Sequence, residues 1–330
     1  MDMHYQRTIY YFNDTGIKIE FYDKVPQIMP CCFIFKCRLF KAVLCLLLAM
    51  MLSAHAQHNY EAKFILYNTL TGAITGGIGA AINKHKQQKW HQAFVRGFLT
   101  GAGGGIVEYA GKKANILIAQ KHELGFAWLS RAIFYAGNSV VENASANRKF
   151  WAQWHYDVGF VRVEYDAEEG SVLPRFMPSM FGGYVFIVAH GGKLDALTSL
   201  RSGALTFRAQ EISYSPNLVA STTTNGFLFV NSLRSGTVFY ETYAHEMVHS
   251  FQFQEFSGVN YFFKPLTDKW KERSPAFAKI SRYVYGDLNY EMMLLNYFVA
   301  QRGYKGQHYC HNLLENEAEF LTTGRSACGH

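Results

Sequence analysis

The segment His245-Glu246-Met247-Val248-His249 has the residue types and spacing of a zinc site. On a helix, residues four apart project from the same face, so the imidazoles of His245 and His249 can share one tetrahedral zinc ion. Glu246 lies beside the first of them and can take a proton from a zinc-bound water and pass it to a leaving amine. This pattern predicts a zinc hydrolase. The competing interpretation is a pair of ordinary histidines on a helix.

A third zinc ligand is expected on a second helix, downstream of the motif. Residues 312–321 are the acid-rich helical candidate there that also carries a small residue. Glu315 and Glu319 share a face with Ala318, whereas Glu317 points elsewhere. We expect Glu315 to bind zinc, and Glu319 to hold a ligand histidine by its free ring nitrogen. The competing interpretation of this segment is a solvated acidic face.

Together these motifs resemble the gluzincin class of zinc metallopeptidases. The resemblance is carried by the segment 245–249, by Gln252 three residues on, and by Glu315-x-x-Ala318-Glu319. The last motif is most similar to the membrane CaaX-type endopeptidases and related small gluzincins. The resemblance covers about residues 226–323. It implies His245, His249 and Glu315 as zinc ligands and Glu246 as the general base.

The sequence departs from the gluzincin pattern at two points. Glu319 stands where aspartate is the usual residue. The triplet Asn316-Glu317-Ala318 also resembles the thermolysin-like form of the motif, which makes Glu317 the alternative ligand. The oxyanion-stabilising residue stays open among Tyr290, His308, Tyr309 and His311, because spacing does not choose between them.

The motif lies in a stretch that is expected to be one amphipathic helix. Residues 237–253 contain no Gly or Pro, and an apolar stripe runs along them at helical spacing. Its members are Tyr240, Ala244, Met247 and Phe251. The stripe can pack against a preceding small sheet, whose strands are predicted from alternating or continuous apolar runs. These runs are residues 158–165, 184–189, 204–214 and 226–230.

The region before this sheet, residues 60–147, has a helical and glycine-rich pattern. Small residues recur every fourth position in two segments, at Gly72, Gly76 and Ala80, and at Gly97, Gly101 and Gly105. Such smooth helix faces allow another backbone to approach closely. The polar stretch 83–89 predicts the turn of a helical hairpin, and a third helix is expected over 124–143. This glycine zipper either inserts in a membrane over residues 64–111 or packs as a soluble hairpin.

The N-terminal segment predicts export. Lys36, Arg38 and Lys41 precede an apolar run at 42–52, which ends in an A-x-A site with cleavage expected after Ala56. A signal peptide that starts at Met29 has normal proportions, which makes residues 1–28 an upstream extension. The alternative is an uncleaved anchor. We expect an exported protein of the periplasm or cell envelope.

Two of the six cysteines remain in the expected mature chain, Cys310 and Cys328. In an oxidising compartment an even pair favours a disulfide, and the alternative is two unrelated buried thiols. The two cysteines lie on either side of the proposed ligand helix, so a bridge between them would hold that helix in place.

The fold class that follows is α+β. We predict an N-terminal extension with a signal peptide at 1–56, a glycine-zipper helical region at 57–150 and a zincin-like domain at 151–330. That domain combines a small sheet, an active-site helix and a C-terminal ligand helix. A net charge of +7 without a basic run excludes a nucleic-acid partner.

Two functions compete. The first is a zinc-dependent peptidase that acts on a peptide or protein substrate. The second is a membrane-associated envelope or assembly protein, in which the glycine zipper is the functional part and the zinc site is structural or degenerate.

Overall fold

The computed structural model describes residues 11–13, 16–18, 60–212, 219–223, 226–233, 235–289, 291–293, 295–296 and 312–325. Strands β1 (Tyr11–Asn13) and β2 (Gly16–Lys18) pair antiparallel and belong to a different unit from the motifs. The described residues from Tyr60 onwards belong to the second unit, which carries the motifs. The expected signal peptide, its cleavage site, Cys310, Cys328 and the four oxyanion candidates lie outside the described residues.

The glycine-rich region is helical, as predicted. Helices α1 (Tyr60–Ile82) and α2 (Trp90–Ala114) form a hairpin around the polar turn at 83–89. A short helix, α3 (Ile116–Lys121), follows, and then the expected third long helix, α4 (Phe126–Ser145). Among the described residues, α1 is the one helix long and apolar enough to cross a membrane. Because 56% of its most apolar window is buried inside the protein, α1 also has the character of a core helix.

The small residues of the hairpin bring the two backbones into direct contact. A Cβ added at Gly101 would lie 2.2 Å from the carbonyl oxygen of Gly72, and one at Gly97 would lie 2.4 Å from that of Gly76. Helix α4 also approaches closely, since a Cβ added at Gly137 would lie 2.7 Å from the carbonyl oxygen of Gly104. Glycine is therefore required at these crossings, and the predicted smooth faces are confirmed as faces that pack on each other.

The middle of the chain differs from the prediction at two points. Residues 158–165 do not form one strand, because Gly159, with φ of +58°, turns the chain between β3 (Gln153–Val158) and β4 (Val161–Asp166). With β5 (Ser171–Phe176) these strands make a three-stranded antiparallel sheet. The apolar run 184–189 belongs to a helix, α5 (Pro178–Ala189). Proline at the first turn favours a helix there, and a continuous apolar run alone cannot separate a buried strand from a helix.

A second, four-stranded sheet precedes the motif helix. Its order is β6 (Lys193–Leu194), β7 (Leu205–Ala209), β9 (Gly226–Val230) and β8 (Ala220–Thr223), and α6 (Ala196–Ser202) joins β6 to β7. The central strands β7 and β9 are parallel, and the two outer strands pair antiparallel with them. Strand β9 is buried on both faces, which explains its continuous apolar sequence.

The motif helix packs on one face of this sheet, and α5 packs on the other. Helix α7 runs Thr237–Gln254, within one residue of the predicted end. Phe227 and Phe229 of β9 face it, with ring centroids 5.2 and 5.5 Å from that of Tyr243. After α7 the described chain includes a 3-10 helix (Ser257–Phe263), α8 (Lys264–Arg273), α9 (Pro275–Tyr283) and α10 (Leu313–Thr323).

Substituting Gly101 by alanine should separate α1 from α2. The added Cβ meets the backbone of Gly72, which no side-chain rotation can relieve, so we expect the free energy of unfolding to fall by about 1–3 kcal/mol. Gly103 lies on the same helix with nothing within 4 Å of its added Cβ. Gly103→Ala should therefore stabilise the protein by about 0.5–1 kcal/mol through helix propensity. Urea unfolding of both variants measures this, and equal effects of the two would contradict the packing.

Candidate metal centre

The two motif histidines lie one turn apart on the same face of α7. Their Nε2 atoms are 3.0 Å from each other, and both side chains are mostly buried. The helix is held in place from its opposite side, where Ala244, Met247 and Phe251 are fully buried in the core that includes β9. The position of the histidines is therefore set by the packing of the whole helix.

Glu315 of α10 completes the group. Its Oε2 lies 3.3 Å from His245 Nε2 and 3.1 Å from His249 Nε2. Asn312 caps the start of this helix by accepting a hydrogen bond from the backbone N–H of Leu314. Glu315 follows in the first turn of the helix. Among the described residues, this is the group of His, Cys, Asp or Glu side chains close enough to share a metal ion.

The spacing of the three donor atoms fits a zinc ion. Ligands at about 2.0–2.1 Å in tetrahedral geometry lie about 3.3 Å from one another. The three observed separations, from 3.0 to 3.3 Å, match that value. Two imidazoles and one carboxylate are also a donor set that zinc accepts.

The group has the electrostatics of a cation site. Burial alone would lower the pKa of His245, but the carboxylates of Glu315 and Glu319 outweigh it and raise that pKa to about 9. Burial would also lower the pKa of His249, but the carboxylate of Glu315 outweighs it, so that pKa is raised. The site therefore stabilises positive charge, and a divalent cation that binds there replaces the proton.

The second ring nitrogen of each histidine faces a polar side chain. His245 Nδ1 lies 3.6 Å from Glu319 Oε2, one turn along α10 from Glu315, and His245 lowers the pKa of Glu319. His249 Nδ1 lies 2.8 Å from Oε1 of Gln252. Groups in such positions orient metal-binding histidines.

Glu246 is held from the sheet. The hydroxyl of Thr222, on strand β8, donates to the carboxylate of Glu246 and lies 3.2 Å from its backbone oxygen. Sequence reasoning missed Thr222, because nothing in the spacing of β8 relative to the motif indicates the contact.

The alternative ligand, Glu317, does not join the histidine group. It is fully buried on a different face of α10 and contacts Asn68, Lys112 and Gln252. This placement also counts against the competing interpretation of the segment 312–321 as a solvated acidic face. The helix buries residue 317 because a complementary ammonium lies opposite it.

A buried ionic cluster surrounds that contact. Lys112 of α2 has no exposed surface, contacts the carboxylate of Glu255 and lies 3.2 Å from Glu317 Oε2. Burial is the main cause that raises the pKa of Glu255 to about 7 and that of Glu108 to about 8. A signal for this cluster exists in the sequence, since Glu108 and Lys112 are one turn apart in a glycine-rich helix.

Comparison of the chain with protein-family models, with curated proteins and with solved structures finds no match. The chemistry of the site is therefore argued from its own geometry.

The buried carboxyl of Glu108 should make the protein less stable at high pH. In the fold it keeps its proton up to about pH 8, whereas its ordinary pKa is 4.5, so the unfolded chain releases the proton first as pH rises. Stability is then lost between about pH 4.5 and pH 8, by ~1.4 kcal/mol for each unit of difference in pKa.

Glu108→Gln should remove this loss, because an amide does not ionise. We expect the variant to match the parent protein near pH 5 and to exceed it in free energy of unfolding at pH 8.5, measured by urea titration. The exposed Glu272→Gln on α8 removes the same charge from the surface and serves as the control. Parallel pH curves for Glu108→Gln and the parent would contradict the argument.

Proposed function

We propose that this protein is an exported zinc metallopeptidase of the gluzincin type. The observation that carries the proposal is the convergence of His245 Nε2, His249 Nε2 and Glu315 Oε2 within 3.0–3.3 Å, with Glu246 as the residue next to the first ligand. Two histidines and a carboxylate leave a fourth position of a tetrahedral ion open, as catalytic zinc sites do.

Each side chain then has a defined task. A zinc ion held by His245, His249 and Glu315 would act as the Lewis acid for water and for the substrate carbonyl. Glu246 takes the proton of the attacking water and delivers it to the nitrogen of the leaving amine. Thr222 keeps the carboxylate of Glu246 in position by its hydroxyl hydrogen bond.

The sheet supports a peptide as the substrate class. Strand β8 is the last in the order of the described strands, and it carries Thr222 beside Glu246. A strand at the edge of a sheet can pair with an extended peptide through backbone hydrogen bonds. A peptide added along β8 would place its scissile bond near the metal group.

The competing function, an assembly protein that acts through its glycine zipper, has less support. Gly72, Gly76, Gly97 and Gly101 contact one another inside the chain, so these faces are not left for a partner.

For the cellular location, the proposal depends on the basic, apolar and A-x-A order of residues 36–57. Association with a membrane through residues 64–111 is part of the same proposal, and α1 has the length for it.

Substitutions in the metal group should separate binding from chemistry. Glu246→Gln leaves all three ligands in place, so zinc should stay bound near one equivalent while peptide hydrolysis falls by about 10²–10⁴-fold. His249→Ala and Glu315→Ala should lose zinc and activity together, because two ligands hold the ion poorly. Zinc content by atomic emission and turnover of a quenched-fluorescence peptide library measure the two effects.

The outcomes that contradict the proposal are distinct. Unchanged zinc content in His249→Ala and Glu315→Ala would show that the ion is not bound at this group. Zinc that stays bound, with no hydrolysis that depends on Glu246, would favour a structural metal site and the assembly function.

Thr222→Val should slow catalysis without loss of zinc. Valine keeps the shape of threonine but removes the hydroxyl that donates to Glu246, and a hydrogen bond to a charged group contributes about 1.5–3 kcal/mol. We expect kcat to fall at least about tenfold, with zinc affinity unchanged. The side chain of Ser221, on the same strand, points to the opposite face of the sheet, so Ser221→Ala is the matched control. Equal kcat values for the two variants would contradict the role of Thr222.

A further inference from the structure

We propose that Glu317 is a positioning residue that fixes the ring tautomer of His249 through Gln252, with Lys112 of the glycine-rich hairpin as its anchor. The inference rests on the proposed function, since it explains how one zinc donor is prepared. It also gives the hairpin a role in the metal centre, and it assigns Glu317 a task other than that of a ligand.

The first step is that both oxygens of the Glu317 carboxylate accept hydrogen bonds. Oε1 accepts from Asn68 Nδ2 at 2.6 Å, and Oε2 accepts from Gln252 Nε2 at 2.8 Å. Lys112 Nζ lies 3.3 and 3.2 Å from the two oxygens. A carboxylate only accepts hydrogen bonds, so every group around Glu317 must present a donor.

The second step fixes the amide of Gln252. Its Nε2 donates to two acceptors, Glu317 Oε2 at 2.8 Å and the backbone oxygen of Leu314 at 2.9 Å. Both contacts require the NH₂ group on that side. The amide oxygen therefore faces His249, and the orientation follows from the network, which is how an amide is assigned.

The third step transfers this constraint to the metal ligand. The Gln252 oxygen lies 2.8 Å from His249 Nδ1, and an amide oxygen can only accept. The proton of neutral His249 must therefore be on Nδ1. Its Nε2 keeps the lone pair that points at His245 and Glu315, which is the form that binds a metal.

The anchor of this chain comes from a distant part of the sequence. Lys112 is fully buried between Glu317 and Glu255, and its ring-face contact with Tyr67, 5.7 Å from the centroid, keeps it in the hairpin. Because Glu317 is two residues after Glu315, the same salt bridge also sets the rotation of α10 that directs Glu315 to the histidines.

Glu317→Gln tests the relay directly. The amide of residue 317 keeps its oxygen on Asn68 and Lys112, and turns its NH₂ group towards Gln252. Two NH₂ groups then oppose each other, so Gln252 turns over and presents a donor to His249 Nδ1. We expect the zinc dissociation constant of the intact chain, measured by competition with a chromophoric chelator, to rise by about 10–100-fold.

Two further variants distinguish the relay from a general loss of stability. Glu255→Gln removes the other buried carboxylate bound to Lys112 but does not touch Gln252, so its zinc dissociation constant should stay within about twofold of the parent value. The exchange Gln252→Glu with Glu317→Gln restores an acceptor for His249 Nδ1 and a donor–acceptor pair between residues 252 and 317. A glutamate at 252 leaves the backbone oxygen of Leu314 without its donor, so this double variant should recover part of the lost zinc affinity.

Gln252→Met covers the case in which Glu317→Gln does not fold, because it breaks the relay and leaves the Lys112 cluster intact. It should weaken zinc binding to the same extent. Equal zinc dissociation constants for Glu317→Gln, Gln252→Met and the parent would overturn the relay. The relay would also be overturned if Glu255→Gln weakened zinc binding as much as Glu317→Gln and the double variant recovered none of the affinity. Weakening in the expected order, in a protein whose hydrolysis does not depend on Glu246, would support the relay and overturn the peptidase function. A parent chain that binds no zinc would overturn both.

Discussion

A lysine ammonium with no exposed surface lies where the glycine-rich hairpin meets the two helices of the metal centre. Lys112 needs opposite charge nearby, because an isolated ammonium in a protein interior is too costly to keep. Glu255, at the end of α7, and Glu317, on α10, supply it. Removal of one partner from such a buried pair typically costs about 3–5 kcal/mol. The ion pairs therefore tie three separate segments of the chain into one arrangement.

This arrangement depends in turn on how closely the hairpin helices pack. Contact between the backbones of α1 and α2 places Tyr67 of one helix beside Lys112 of the other, and Asn68 beside Glu317, which Lys112 also contacts. The apolar side chains around them, which include Phe64, Tyr109 and Val248, come from both hairpin helices and from α7. Larger side chains at the crossings would move α1 away from the cluster, so the glycine zipper and the ionic cluster support the same geometry.

The local features of this structure were predictable from sequence, and the long-range contacts were not. Helix α7, the hairpin turn at 83–89 and the ligand helix around Glu315 follow from periodicity, turn chemistry and motif spacing. The strand predicted at residues 184–189 is wrong, because a continuous apolar run has no period that separates a strand from a helix. The partners of Lys112 are 143 and 205 residues away, and one sequence contains no signal that pairs residues so far apart.

The two histidines of the candidate metal centre face different kinds of acceptor, and the difference has a chemical reason. A carboxylate, Glu319, faces His245 Nδ1, whereas the neutral amide of Gln252 faces His249 Nδ1. A carboxylate partner makes a histidine a more basic ligand, and two of them would add negative charge beside Glu315 and Glu246 and reduce the Lewis acidity of a bound ion. Gln252 instead passes on the orientation set by Glu317 while the charge of Glu317 stays farther away, next to Lys112. In this way the candidate centre gains a fixed histidine tautomer without a fourth uncompensated carboxylate around an ion that it would hold.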